Sequence, residues 1–241
     1  MLLSLFYHRI GKGKWANSPE MIEAHLTQIA ASYRTVFPLE PLSFFEVALC
    51  LVFDDAYFDV YHYVFPLLKK LGLKAVIAVP TSLIQERTAL SAETRLSVPT
   101  KEAMSTPQLC PFCTWEELNE MVKSGHVQIA SHSHTHCPLS SDGIDLDLEI
   151  WGSKAKIEQK LGVEVNAFVY PLGKFSRGLQ KKVSQCYPLA MRIGTAWNLG
   201  WGSGLIYRVL ADHLEAADEP FRWSRWLRYS WFYALNRSRG R

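Results

Sequence analysis

The sequence predicts a single α/β domain built on parallel strands, and three observations predict it. Strand-like and helix-like stretches alternate along the 241 residues, with no internal repeat and no low-complexity tract. The composition is that of a globular chain, 48% hydrophobic and 20% charged, at a length that suits one domain with a well-buried core. Three polar clusters, Asp54-Asp55, the histidines at 132–136 and Tyr170-Pro171, fall just past the carboxyl ends of predicted strands. Barrels and open α/β sheets build their active sites at that edge.

Taken in order, Leu2–Tyr7 is an apolar run that reads as a buried first strand. Pro19–Tyr33 is predicted helical, because Met21, Ile22, His25, Leu26 and Ile29 recur at helical spacing. Ala48–Phe53 is a second strand and runs into Asp54-Asp55. A helix over Tyr61–Leu71, ended by Gly72, and a strand over Lys74–Val79, closed by Pro80, complete a βαβ unit. From Thr81 to Cys113 the pattern dissolves among prolines at 99, 107 and 111, which predicts a long surface excursion over one face. Thr114 with Glu117 forms a capping box for a helix to Lys123, and Val127–Ala130 is a strand leading into the histidines. A helix over Leu146–Leu161 and a strand over Val165–Tyr170 follow. Past Phe175 only a strand at Leu205–Leu210 and a terminal helix from about Phe221 stand out.

The net charge of +3 is too small to point to nucleic acid. Its distribution is uneven: Arg222 to Arg241 holds six arginines and no acidic residue. Residues 1–220 therefore read as the domain and 221–241 as a basic aromatic tail. In a helix, Arg222, Arg225 and Arg228 would line one side of that tail, and tryptophan with arginine suits an anionic membrane interface. A terminal helix packing its aromatics on the domain is the equal alternative. No apolar run approaches the ~18 residues of a spanning helix. The opening segment lacks a basic leader and a cleavage site, so the expected location is cytoplasmic, with peripheral contact at the inner membrane face. Five scattered cysteines fit reduced thiols, and the lone Cys110-Pro111-Phe112-Cys113 reads as buried thiols rather than a second zinc site or redox pair.

Adjacent carboxylates such as Asp54-Asp55 are costly to ionise together unless a cation is present; a helix N-cap pair is the plain alternative. Ser131-His132-Ser133-His134-Thr135-His136 adds three imidazoles at a strand end. Imidazole plus carboxylate suits zinc, with cobalt, nickel or iron as alternatives, against the plain reading of a surface histidine patch. A continued strand would put all three rings on one face, whereas a turn would bring His132 and His136 together.

Three stretches then carry a family resemblance: Leu51-Val52-Phe53-Asp54-Asp55-Ala56-Tyr57, His132-Ser133-His134-Thr135-His136 and Phe168-Val169-Tyr170-Pro171-Leu172-Gly173, with connecting text around Pro66–Ala75. From Leu2 to about Arg208 the chain resembles the polysaccharide deacetylases of carbohydrate esterase family 4, which share the NodB homology domain. The resemblance implies a distorted, incomplete (β/α) barrel. It also implies metal-dependent removal of an N-acetyl group from an amino sugar in a glycan or lipid-linked glycan precursor. Carried over residue by residue, Asp54 becomes the general base, Asp55, His132 and His136 the metal ligands, and a backbone N–H near Leu172 an oxyanion donor. His8 resembles the acid of the permuted, poly-N-acetylglucosamine deacetylase-like branch; His213, in Leu210-Ala211-Asp212-His213, resembles that of the unpermuted branch, and His8 is preferred. The sequence departs from the family at three positions. Ala56 replaces a glycine, so the backbone there should avoid the glycine conformation. Leu172 replaces an aromatic, and Val169 an arginine that orients the base, with Lys174 as a candidate substitute. A non-carbohydrate amide, or a catalytically idle glycan-binding protein, are the alternative functions.

Overall fold

Six of the expected apolar runs become strands, and a seventh strand, β6, joins them: β1 (Leu2–Tyr7), β2 (Ala48–Phe53), β3 (Ala75–Val79), β4 (Val127–Ser131), β5 (Ala167–Val169), β6 (Leu189–Ile193) and β7 (Leu205–Leu210). The computed structural model describes residues 1–239; Gly240 and Arg241, the end of the expected tail, lie outside the described residues. Each strand pairs in parallel with its successor, and β1 pairs with both β7 and β2, so the sheet closes. The result is a (β/α) barrel one strand short of eight. Its weakest seam is between β4 and β5, where Ser131 and Phe168 form the single register pair. A two-residue strand, Arg34–Thr35, also pairs with the start of β2.

Side chains alternate across a strand, and the two faces form two apolar clusters. Leu2, Phe6, Cys50, Val52, Ala130, Val169, Met191 and Ile206 belong to the inner one. Leu3, Leu5, Leu51, Phe53, Ile77 and Phe168 belong to the larger cluster beneath the helices. Counting by twos from the inner set reaches His8, Asp54, His132 and Arg208. Strand parity alone therefore turns these four polar residues toward the barrel axis.

The helices are α1 (Pro19–Ser32), α2 (Phe65–Leu71), α3 (Trp115–Lys123), α4 (Ser153–Leu161), α5 (Arg177–Val183) and α6 (Trp223–Ser238). Ser18 caps α1 by accepting from the Met21 N–H, with Pro19 in the first turn. Thr114 and Glu117 form the expected capping box on α3. A wide π turn at Val60–Val64 precedes α2, just before Pro66, whose ring and missing N–H disfavour a regular turn there. Gly72 ends α2 in the left-handed region, with φ +67°.

The Thr81–Cys113 excursion is more ordered than its sequence suggests. It carries a short helix at Ala92–Leu96, and Arg95 within it is buried. Arg95 donates to the carbonyl oxygens of Cys110 (2.8 Å) and Phe112 (2.9 Å) and to both oxygens of Glu117 (2.6 and 2.9 Å). That bidentate pair staples the excursion to α3. All five cysteines are free, and Cys110 and Cys113 are buried thiols. Among the described residues no helix is long and apolar enough to cross a membrane.

Candidate active site

A cleft of ≈ 690 Å³ opens at the carboxyl ends of the strands, walled in part by His8, Asp54, Asp55, His132, His136 and Tyr170. Asp54 and Asp55 leave the end of β2, and the chain turns sharply there: φ is +68° at Asp55 and +55° at Ala56. Ala56 therefore adopts the left-handed conformation that its missing glycine was expected to forbid. The strain, of order 1–2 kcal/mol, is held by the Cys113 N–H donating to the Ala56 carbonyl at 2.7 Å and by complete burial. The turn sends the two neighbouring carboxylates to different partners.

Asp55 Oδ1 lies 3.1 Å from His136 Nε2 and 3.5 Å from His132 Nε2. One ligand atom from each of the three residues falls within 4.8 Å of the others. Asp55 Oδ1 is buried with no aligned hydrogen-bond donor, which suits it to hold a cation. His132 Nδ1–H donates to the Val169 carbonyl at 2.8 Å, which leaves Nε2 with its lone pair free toward Asp55. Burial pushes the His132 pKa down to about 4, so the ring is neutral. Burial alone would raise the Asp55 carboxyl, but His136 and His132 pull it well below the usual range. Two imidazole nitrogens and one carboxylate, with an oxygen lacking an aligned donor at their centre, fit a divalent cation.

His134 stands outside this group. Its Nδ1 pairs with Thr81 Oγ1 at 2.7 Å, and the N–H groups of His134 and Thr135 donate to Glu149 Oε2 at 2.8 and 2.9 Å. The buried Glu149 thus holds the histidine loop, with Ser133 and His136 at positive φ, in the turn that brings His132 and His136 together. Nothing in the residue pattern singled out Glu149.

Asp54 takes its counter-charge from Arg208 on β7, whose Nη1 donates to Oδ1 at 2.7 Å. Lys174, the sequence's candidate for that charge, is instead exposed beyond the Pro171–Gly173 turn. Burial acts to raise the Asp54 pKa, but Arg208, His132 and His8 together hold it below the ordinary value. A lone arginine in a strand of otherwise apolar alternation was the available signal for this residue.

His8 faces Asp54 across the cleft, with Nε2 4.0 Å from Oδ2. Its Nδ1 and Asp212 Oδ2 are 2.6 Å apart, and its backbone N–H donates to Asp212 Oδ1 at 3.0 Å. Burial lowers the His8 pKa, yet the Asp212 hydrogen bond and the charges of Asp54, Asp212 and Asp55 outweigh it and lift it to about 9. His213 is exposed and accepts from the Trp15 backbone N–H at 3.0 Å. Of the two candidate acids, His8 is the one that lines the cleft. Leu172, at φ +54°, also lines the cleft.

The model of the polysaccharide deacetylase family matches residues 46–187, more than half of the chain. The chain belongs to the polysaccharide deacetylase family. Its matched region contains Asp54, Asp55, His132, His136 and Leu172, while His8, Arg208 and Asp212 lie outside it. Bacillus subtilis YxkH is 25% identical over 182 residues, 71% of this chain, and the chain spans only 57% of that relative's length. The solved deacetylase PplD of Streptococcus pyogenes, in complex with acetate, superposes with a TM-score of 0.73 at 18% identity, covering 91% of this chain and 96% of that one. IcaB from Ammonifex degensii gives 0.68 at 19% identity, covering 88% and 92%. At such identities the structural likeness establishes the barrel fold of this deacetylase-family chain.

Proposed function

We propose that this polysaccharide deacetylase-family chain is a metal-dependent hydrolase that removes the acetyl group from an N-acetylated amino sugar of a glycan or glycolipid precursor. The observation that carries the reading is the donor set of Asp55, His132 and His136, converging within 4.8 Å with a second carboxylate, Asp54, beside it. A divalent cation held by those three residues, zinc by preference and cobalt, nickel or iron as alternatives, supplies a polarised amide carbonyl and a water of lowered pKa.

Asp54 takes the proton from the attacking water. Arg208 occupies its Oδ1, which orients Oδ2 toward His8 and the cleft and keeps the carboxyl ionised. The Leu172 N–H, on the cleft wall, donates to the amide oxygen as negative charge builds there. An amine leaves poorly until protonated. His8 delivers that proton from Nε2, with Asp212 fixing Nδ1 and thereby the ring's orientation. Base and acid thus stand side by side in one cleft, Asp54 Oδ2 and His8 Nε2 4.0 Å apart.

Acetate release from N-acetylated oligosaccharides tests the reading. Turnover is expected to stop on treatment with a chelator, return with added zinc, and be absent in Asp54→Asn. Chelator-resistant turnover, or no acetate from any N-acetylated sugar, would overturn it.

A further inference from the structure

Helix α6 has two unlike faces. Inward, Tyr229 and Asn236 are buried; the Tyr229 hydroxyl donates to the Pro220 carbonyl, and Trp197 stacks on Tyr233 with ring centroids 4.4 Å apart. Outward, Trp223, Leu227 and Trp231 follow one another at intervals of four residues, so they form one stripe along the helix. They are 74%, 54% and 68% exposed. By helical geometry Arg228 flanks this stripe on one side and Arg237 on the other. The segment holds no acidic residue; Arg222 and Arg225 at its start pair with Asp218 and Glu219 of the preceding turn, so its free positive charge lies with the arginines beyond them. Large exposed apolar side chains in one row are an unpartnered surface rather than scattered solvent contacts.

The same helix also builds the cleft. Arg225, Arg228 and Tyr229 line its wall, while Trp223 and Leu227 sit on the outer side of those same turns. Whatever covers the stripe therefore lies beside the mouth of the active site. Trp–Leu–Trp between arginines matches an anionic lipid surface: the rings settle at the headgroup boundary while guanidinium groups reach phosphate. An arginine-rich protein face would repel a second copy of itself along this stripe, which disfavours self-association.

We propose that α6 is an interfacial helix, docking this chain on an anionic bilayer through Trp223, Leu227 and Trp231 with the cleft mouth at the lipid surface. In the context of the proposed N-deacetylation, the substrate is then a sugar carried on a lipid rather than a free glycan. The docking itself does not depend on that reaction.

Co-sedimentation with vesicles reads docking without turnover, so its outcome is independent of whether the chain deacetylates. The 241-residue chain is expected to bind vesicles of phosphatidylcholine containing phosphatidylglycerol at least about tenfold more tightly than phosphatidylcholine alone, with the preference reduced by salt. The triple variant Trp223→Ser, Leu227→Ser, Trp231→Ser is expected to lose binding while keeping the wild-type unfolding transition and any activity on soluble substrate. The double variant Phe44→Ser, Phe45→Ser changes the other strongly exposed apolar pair, 91% and 95% exposed just before β2 at the far end of the barrel. It is expected to bind as wild type does. Absence of wild-type binding, undiminished binding by the triple variant, or loss in the Phe44/Phe45 variant instead would overturn the proposal. So would a concentration-dependent dimer, seen by light scattering, that the triple variant abolishes.

Discussion

Arg208 donates to Asp54 Oδ1 at 2.7 Å from across the barrel interior, joining two buried charges separated by 154 positions in sequence. Neither is more than 3% exposed at its side chain, so each depends on the other for compensation. Arg208→Met is expected to destabilise the fold by about 3–5 kcal/mol, because it leaves a carboxylate buried alone. Arg208 lowers the Asp54 pKa, and a base works only when deprotonated, so its loss should move the acidic limb of kcat/KM to higher pH. Denaturant titration and a pH profile of the same variant check both effects; Arg208→Lys should restore part of each.

The two candidate acids separate cleanly by substitution. His8→Ala is expected to lower kcat by about 10²–10⁴, the usual contribution of a positioned acid. His213→Ala should leave kcat nearly unchanged, since its exposed ring accepts from the Trp15 backbone and does not itself line the cleft. Steady-state kinetics of both variants decide it, and full activity in His8→Ala would remove His8 from the mechanism.

The alkaline side of the pH profile follows from the same ring. His8 is raised to about 9, so it carries its proton below that pH and loses it as the pH climbs through that value. An acid is active only while protonated; activity should therefore fall on the alkaline side near pH 9. Asp212→Asn removes the main contact that raises His8, so that only the charges of Asp54 and Asp55 still oppose the lowering by burial. The alkaline limb should shift to lower pH in that variant, with KM changing less than kcat.

Arg95 is a purely structural test. Its side chain is 3% exposed and holds Glu117 together with two carbonyl oxygens. Arg95→Met should cost about 3–5 kcal/mol by stranding these acceptors. It should also loosen the Thr81–Cys113 excursion, which contributes Thr100 and Met104 to the cleft. Thermal unfolding and limited proteolysis within that excursion would register the change.

Much of the barrel was readable because buried parallel strands are uninterrupted apolar runs, and β1, β2 and β7 match Leu2–Tyr7, Ala48–Phe53 and Leu205–Leu210 residue for residue. Helix α5 and strand β6 were not read. Arg177–Val183 has only Leu179 and Val183 buried, and β6 ends in Arg192 and Ile193, so neither shows a clear period. Asp54, Asp55, His132 and His136 stood out because each cluster lies within a few residues of sequence. Arg208 and Asp212 act on partners far away in the chain, and only barrel closure brings β7 beside β1; Glu149 reaches back 14–15 residues to the histidine loop. Local spacing cannot report such a contact. The Ala56 expectation failed for a related reason: a propensity rule was overridden by a tertiary hydrogen bond from Cys113.

The central claim is that Asp55, His132 and His136 together grip a divalent cation. Zinc titration with metal analysis of the purified chain, followed by anomalous diffraction at the zinc edge, tests it most directly. Stoichiometric zinc bound by two imidazole nitrogens and a carboxylate oxygen is expected, at about 2.0–2.2 Å, and it should be lost in His132→Ala and Asp55→Ala. Zinc retained in those variants, or found at Cys110 and Cys113 instead, would contradict it.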